Sequence, residues 1–111
     1  MSSFYAQYVE EREGAITIEN DKGFISYKFD GDYLFIVDLF IAKPYRRTKA
    51  GSQFGKQIEA IARLNGKIGI MCTAANNALN YKEAVQFIKS NGYKIISGTD
   101  EQTYFIKDLK E

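Results

Sequence analysis

The residues whose types and spacing best suit chemistry lie in one stretch, VDLFIAKPYRRTKAGSQFGKQIEAIA, running from Val37 to Ala62. It reads as a strand, a basic loop and a helix that begins at once. A helix start exposes unpaired N–H groups and the positive end of the dipole, so a loop of small residues there makes a seat for a diphosphate. Arg46 and Arg47 would add forked donors. The same arrangement also suits an ordinary solvated turn, and the residues alone leave both readings open. Asp38, between Val37 and Leu39 in an apolar run, is either a general base whose pKa burial raises or a carboxylate at the end of a strand. Cys72 has no His to activate it, and a small buried hydrophobe is its better reading. Asn76, Asn77, Tyr81 and Tyr93 follow in a loop and at the starts of a helix and a strand, where turn and core roles compete with chemistry.

The elements that must position these groups follow from periodicity. Phe4 and Tyr8 space a short helix from a Ser3 cap to a Gly14 stop. Ala15 to Glu19 and Phe24 to Phe29 alternate around Asn20-Asp21-Lys22-Gly23, a hairpin, and Asp30-Gly31-Asp32 is a second tight turn. Tyr33 to Ile41 lacks strict alternation and predicts a central strand covered on both faces. Pro44 ends it. From Ser52 the spacing Phe54, Ile58, Ile61, Ala62 is helical as far as Asn65-Gly66, and Lys67 to Thr73 is the next strand, parallel to the one before the helix. Ala74 to Asn80 reads as a loop. A helix over Tyr81 to Ser90 and a hairpin of Tyr93 to Ser97 with Gln102 to Lys107 complete the order α-β-β-β-α-β-α-β-β, an α/β chain with a mixed sheet.

The whole chain sets bounds on function. Its 111 residues suit a single domain, 1–111, and with 45% hydrophobic and 14% aromatic residues it should bury a real core. A net charge of +1 gives no global field for a polyanion, so nucleic-acid binding would rest on Lys43 to Lys49 alone, without an interleaved aromatic and basic surface. The complete absence of His removes Ser-His-Asp and Cys-His catalysis and the usual zinc ligand, and no metal is expected. A lone Cys72, a start without a secretory pattern and no span long enough for a bilayer predict a cytoplasmic protein with no membrane partner.

Arg46-Arg47-Thr48-Lys49-Ala50-Gly51 resembles the signature of the GCN5-related N-acetyltransferases: Arg or Gln, two residues, Gly, one residue, then Gly or Ala. DLFIAKPYRR before it, the helix after it, GKIGIMCTA and FIKSNGYK look like the family's segments in order. The small size and the opening FYAQYVEEREG look most like compact members encoded by bacteriophages. The resemblance implies a sheet whose two central parallel strands splay so that acetyl-coenzyme A slots between them. Leu39, Phe40 and Ile41 would pair with the pantetheine. Arg46, Arg47, Thr48, Lys49, Ala50, Gly51 and Ser52 would hold the diphosphate. The thioester would point toward Asp38 and Cys72, with an oxyanion donor near Phe40. An amine, from a protein Lys or a small molecule, would attack directly, with Asp38 as base and Tyr81 as acid, and a homodimer is compatible with the pattern. Two positions depart from it. Lys49 stands at the first Gly, where a side chain should crowd the diphosphate or push the backbone out of a left-handed conformation. Ile88 stands where the family often has its Tyr acid. These departures make an inactive structural or host-binding module with the same fold the alternative.

Overall fold

The computed structural model describes residues 3–46 and 48–109, so Arg47 lies outside the described residues. Helix α1 (Phe4–Glu13) starts as the sequence implies: the Ser3 hydroxyl oxygen accepts from the Ala6 N–H at 3.0 Å, and Gly14, at φ +69°, closes it. Strands β1 (Ile16–Asn20), β2 (Gly23–Asp30) and β3 (Tyr33–Ile41) form an antiparallel meander. In its first turn the Asn20 side-chain oxygen accepts from the N–H groups of Lys22 and Gly23, at 2.8 and 3.2 Å. A single 3-10 turn, Lys43–Tyr45, carries Pro44 at its start. Then come α2 (Ala50–Leu64), β4 (Gly69–Ala75), α3 (Tyr81–Ser90), β5 (Lys94–Gly98) and β6 (Gln102–Asp108). The expected order is met. Helix α2 begins two residues before Ser52, and β4 is shifted toward Ala75, taking in part of the stretch read as a loop.

One six-stranded sheet runs β1-β2-β3-β4-β6-β5. Helix α2 lays Phe54, Ile58 and Ala62, one stripe at helical spacing, on Ile25, Tyr27, Leu34 and Ile70. Burying each such large side chain stabilises the fold by about 1.5–3 kcal/mol. Helix α3 packs beside α2 on the same face, over Cys72, Ala74 and Phe105. Helix α1 lies on the opposite face of the β1 and β2 end, where the Tyr5 ring meets Phe24.

The sheet is not continuous. Strand β4 pairs with β6 along its whole length, from Gly69 to Ala75, yet it pairs with β3, in parallel, only from Tyr33 to Phe35. Beyond that point β3 and β4 part. β3 is therefore not the strand covered on both faces that its apolar run predicts: Asp38 and Phe40 are exposed.

Candidate active site

The gap between β3 and β4 begins at a bulge. Ser26 pairs with Asp38 and Tyr27 with Ile36, which leaves Val37 as an extra residue on β3. One inserted residue reverses the face that every later side chain takes. Leu34 and Ile36 pack toward α2 before the bulge, and Leu39 and Ile41 do so after it. Asp38 and Phe40 are thereby turned to the α1 face. That is why Asp38 is exposed and not the buried carboxylate its flanks suggest. Its Oδ2 accepts from the Tyr5 hydroxyl at 2.8 Å and its Oδ1 from the Leu39 N–H at 3.0 Å. Burial, with the Asp38 carboxylate as hydrogen-bond partner, pushes the Tyr5 phenol up to about 12, so Tyr5 stays a donor. Tyr5 and Asp38 are 33 positions apart, and nothing in the local pattern announces the pair.

Backbone direction along β3 shows which groups face the gap. The Ala42 N–H donates to the Lys22 carbonyl at 2.7 Å, and the Phe40 carbonyl crowds Gly23 so closely that a Cβ there would stand 1.9 Å from it. Both therefore point to β2, and strand alternation sends the N–H and C=O groups of Leu39 and Ile41 into the gap. Of Leu39, Phe40 and Ile41, Ile41 turns both backbone groups there, Leu39 turns its carbonyl there while its N–H is taken by Asp38 Oδ1, and Phe40 turns neither. Arg46 Nε donates to the Ile41 carbonyl at 2.9 Å, and its guanidinium lies 5.7 Å from the centre of the Phe40 ring.

Below this edge the basic loop meets α2. The Thr48 hydroxyl donates to the Tyr45 carbonyl. Lys49 is the N-cap at φ +94°, ψ 4°, the one left-handed non-glycine among the described residues. Its side chain has not forced the backbone away, and the strain is on the order of 1–2 kcal/mol. The first helical bond runs from the Gln53 N–H to the Lys49 carbonyl at 2.9 Å, so Ala50, Gly51 and Ser52 direct their amides out of the helix start. Gly51 has a second role that its motif position does not reveal. A Cβ on it would stand 2.6 Å from Phe87 Cζ, so α2 and α3 approach only because it has none.

A cavity of about 250 Å³ fills the gap, walled by Leu39, Gly51, Cys72, Phe87, Ile88 and Tyr93 among others. Asp38 is the one charged residue among the described residues that border it. Burial pushes the Cys72 thiol up to about 12, which leaves it protonated and a small hydrophobe, as the sequence suggests. Burial also pushes the Tyr93 phenol far up, so it too stays neutral. Ile88 packs on the Cys72, Ala74 and Phe105 cluster and brings no polar group.

Tyr81, on the rim, sits in a chain of hydroxyls. Its oxygen is 2.9 Å from Thr103 Oγ1, which donates to Asn76 Oδ1 at 2.7 Å. Asn76 Nδ2 donates in turn to the Thr99 carbonyl at 2.9 Å. Thr103 has one proton and gives it to Asn76, so Tyr81 donates to Thr103 and keeps lone pairs free. Asn76 thus fastens the end of β4 to the β5–β6 turn, while Asn77 is an exposed turn residue.

No family model matches the sequence, and no curated protein does. The fold does match solved structures. An acetyltransferase of the GNAT family from Staphylococcus aureus superposes with TM-score 0.75 at 18% identity, over 94% of this chain and 75% of that one. A chain from Agrobacterium tumefaciens assigned as an acetyltransferase gives 0.72 at 18% identity, over 98% and 95%. The PaiA N-acetyltransferase of Thermoplasma acidophilum, solved in complex with coenzyme A, gives 0.73 at 18% identity over 79% of this chain, which spans 54% of its length.

Proposed function

With the fold of the GCN5-related N-acetyltransferases as premise, we propose that this chain is an acetyl-coenzyme A-dependent N-acetyltransferase acting on an amine. The observation that carries this reading is the parting of β3 from β4 after Phe35, beside an unsatisfied helix start. The outward C=O groups of Leu39 and Ile41 and the N–H of Ile41 suit the amide groups of a pantetheine arm, the Leu39 N–H being held by Asp38 Oδ1. The amides of Ala50, Gly51 and Ser52, with Thr48 and Lys49, suit its diphosphate. For the arm to pair fully, Arg46 would leave the Ile41 carbonyl and swing to the phosphates, joined there by Arg47.

In the reaction the amine nitrogen attacks the thioester carbonyl, and the developing oxyanion needs a backbone N–H, for which the bulged stretch at Val37 to Leu39 is the nearest source. Asp38 takes a proton from the amine. Tyr81 supplies one to the leaving thiolate once the Thr103 hydroxyl turns to donate to it, which reverses the hydroxyl chain. Ile88 cannot do this.

Calorimetric titration with acetyl-coenzyme A tests the reading, with coenzyme A and a single-stranded oligonucleotide as controls. Saturable micromolar binding of the coenzyme alone is expected, and Arg46→Ala should weaken it by about 1–3 kcal/mol. No binding would leave the second reading, a structural or host-binding module of phage type that retains the fold. Ile88 and the strained Lys49 favour that module.

A further inference from the structure

The α1 face of the gap carries a feature that acetyl transfer as such does not explain. From Asp38 a row of aromatic faces leads along the sheet. The Tyr5 ring, whose hydroxyl is on Asp38, lies 4.7 Å from Phe24, and Phe24 stacks on Phe40 at 5.9 Å. Phe40 is 46% exposed, and Phe4, beside Tyr5 on α1, is 88% exposed. The row ends at the Arg46 guanidinium, 5.7 Å from the Phe40 ring. At the near end stands the carboxylate of Asp38, the one charged residue among the described residues that border the cavity. Each of its oxygens holds one donor, which leaves lone pairs on both for a further partner.

We propose that the acceptor is a small primary monoamine with an aromatic body, its ammonium on Asp38 and its ring against the Tyr5, Phe24 and Phe40 row. The proposal rests on the acetyltransferase reading and adds the class of acceptor. Charge decides the near end: an exposed carboxylate beside ring faces attracts a cation, and the rings cover apolar area that would otherwise meet water. In the coenzyme-free protein charge also decides the far end, because Arg46, while it stays beside the Phe40 ring, repels a second cationic group there and disfavours polyamines. The bulge at Val37 places Asp38 on both the row and the cavity, so an ammonium held on it stands at the boundary between acceptor and thioester. The step balances. The ammonium loses one proton by way of Asp38 to solvent, the nitrogen forms a bond to the acetyl carbon, the C–S bond breaks, and the second nitrogen proton is matched by the one the thiolate takes up.

Equilibrium binding, without acetylation, tests this apart from the transfer reaction. 2-Phenylethylamine, butylamine, 2-phenylethanol and spermidine would be titrated by NMR into the protein, with and without saturating coenzyme A. 2-Phenylethylamine is expected to bind at least tenfold more tightly than each of the others. Asp38→Asn should abolish its advantage over 2-phenylethanol, and Phe40→Leu, at an exposed position, should reduce its advantage over butylamine. Equal binding of butylamine or spermidine, or an unchanged order in Asp38→Asn, would overturn the proposal. Loss of coenzyme binding with this order intact would overturn the transfer reading and leave the amine site standing.

Discussion

Lys49 shows how a single residue's conformation is separable from its chemistry. At φ +94° its Cβ is strained, and glycine at that position carries no such strain. Lys49→Gly should therefore raise unfolding free energy by about 1 kcal/mol in a denaturant titration. If coenzyme binding is unchanged or improved, the ammonium is dispensable, whereas a large loss would make it a phosphate ligand. Tyr81→Phe belongs to the same scale. It removes the proposed acid and leaves the Thr103 to Asn76 bond intact, so kcat should fall on the order of 10²-fold with little change in KM for the coenzyme. The residue types at the loop and at Ile88 were legible because they are local in sequence. The Tyr5 to Asp38 bond was not, since it depends on a bulge that no spacing rule predicts and on a helix 33 positions away.

Elements were legible where a period repeats. The Phe54, Ile58, Ala62 stripe fixed α2, and the alternation around Asn20 fixed the first hairpin, with ends displaced by a residue or two. The Tyr33 to Ile41 run matches β3 but predicts cover on both faces, because a strand bordering a gap and a strand covered on both faces share an apolar, non-alternating run. The family resemblance, not the period, pointed to the splay. Between elements, the contact of α2 with α3 turns on the missing Cβ of Gly51. Gly51→Ala should cost about 1–3 kcal/mol through overpacking on Phe87. Combining it with Phe87→Leu should recover part of that cost, a coupling that a double-mutant cycle of denaturant titrations reads directly.

At the scale of the molecule, burial of neutral acids ties stability to alkaline pH. The Cys72 thiol is pushed from 9.0 to about 12 and the Tyr5 phenol from 10.0 to about 12, so the folded chain holds both protons more tightly than the unfolded chain. Their contribution is complete below pH 9 and is lost as pH rises to about 12. Melting temperature should fall across that window, and Cys72→Ala should flatten the fall from its lower end. Among the described residues no helix is long and apolar enough to cross a membrane. The short parallel seam of Tyr33 to Phe35 against Gly69 to Met71 has a mechanical meaning. It joins two half-sheets like a hinge at one end of a book, and the spine gives least resistance to opening. A ligand that bridges the pages would act as a clasp: amide exchange at Ile41 should be fast without coenzyme and slow with it, while exchange in the β4 and β6 ladder stays as it was.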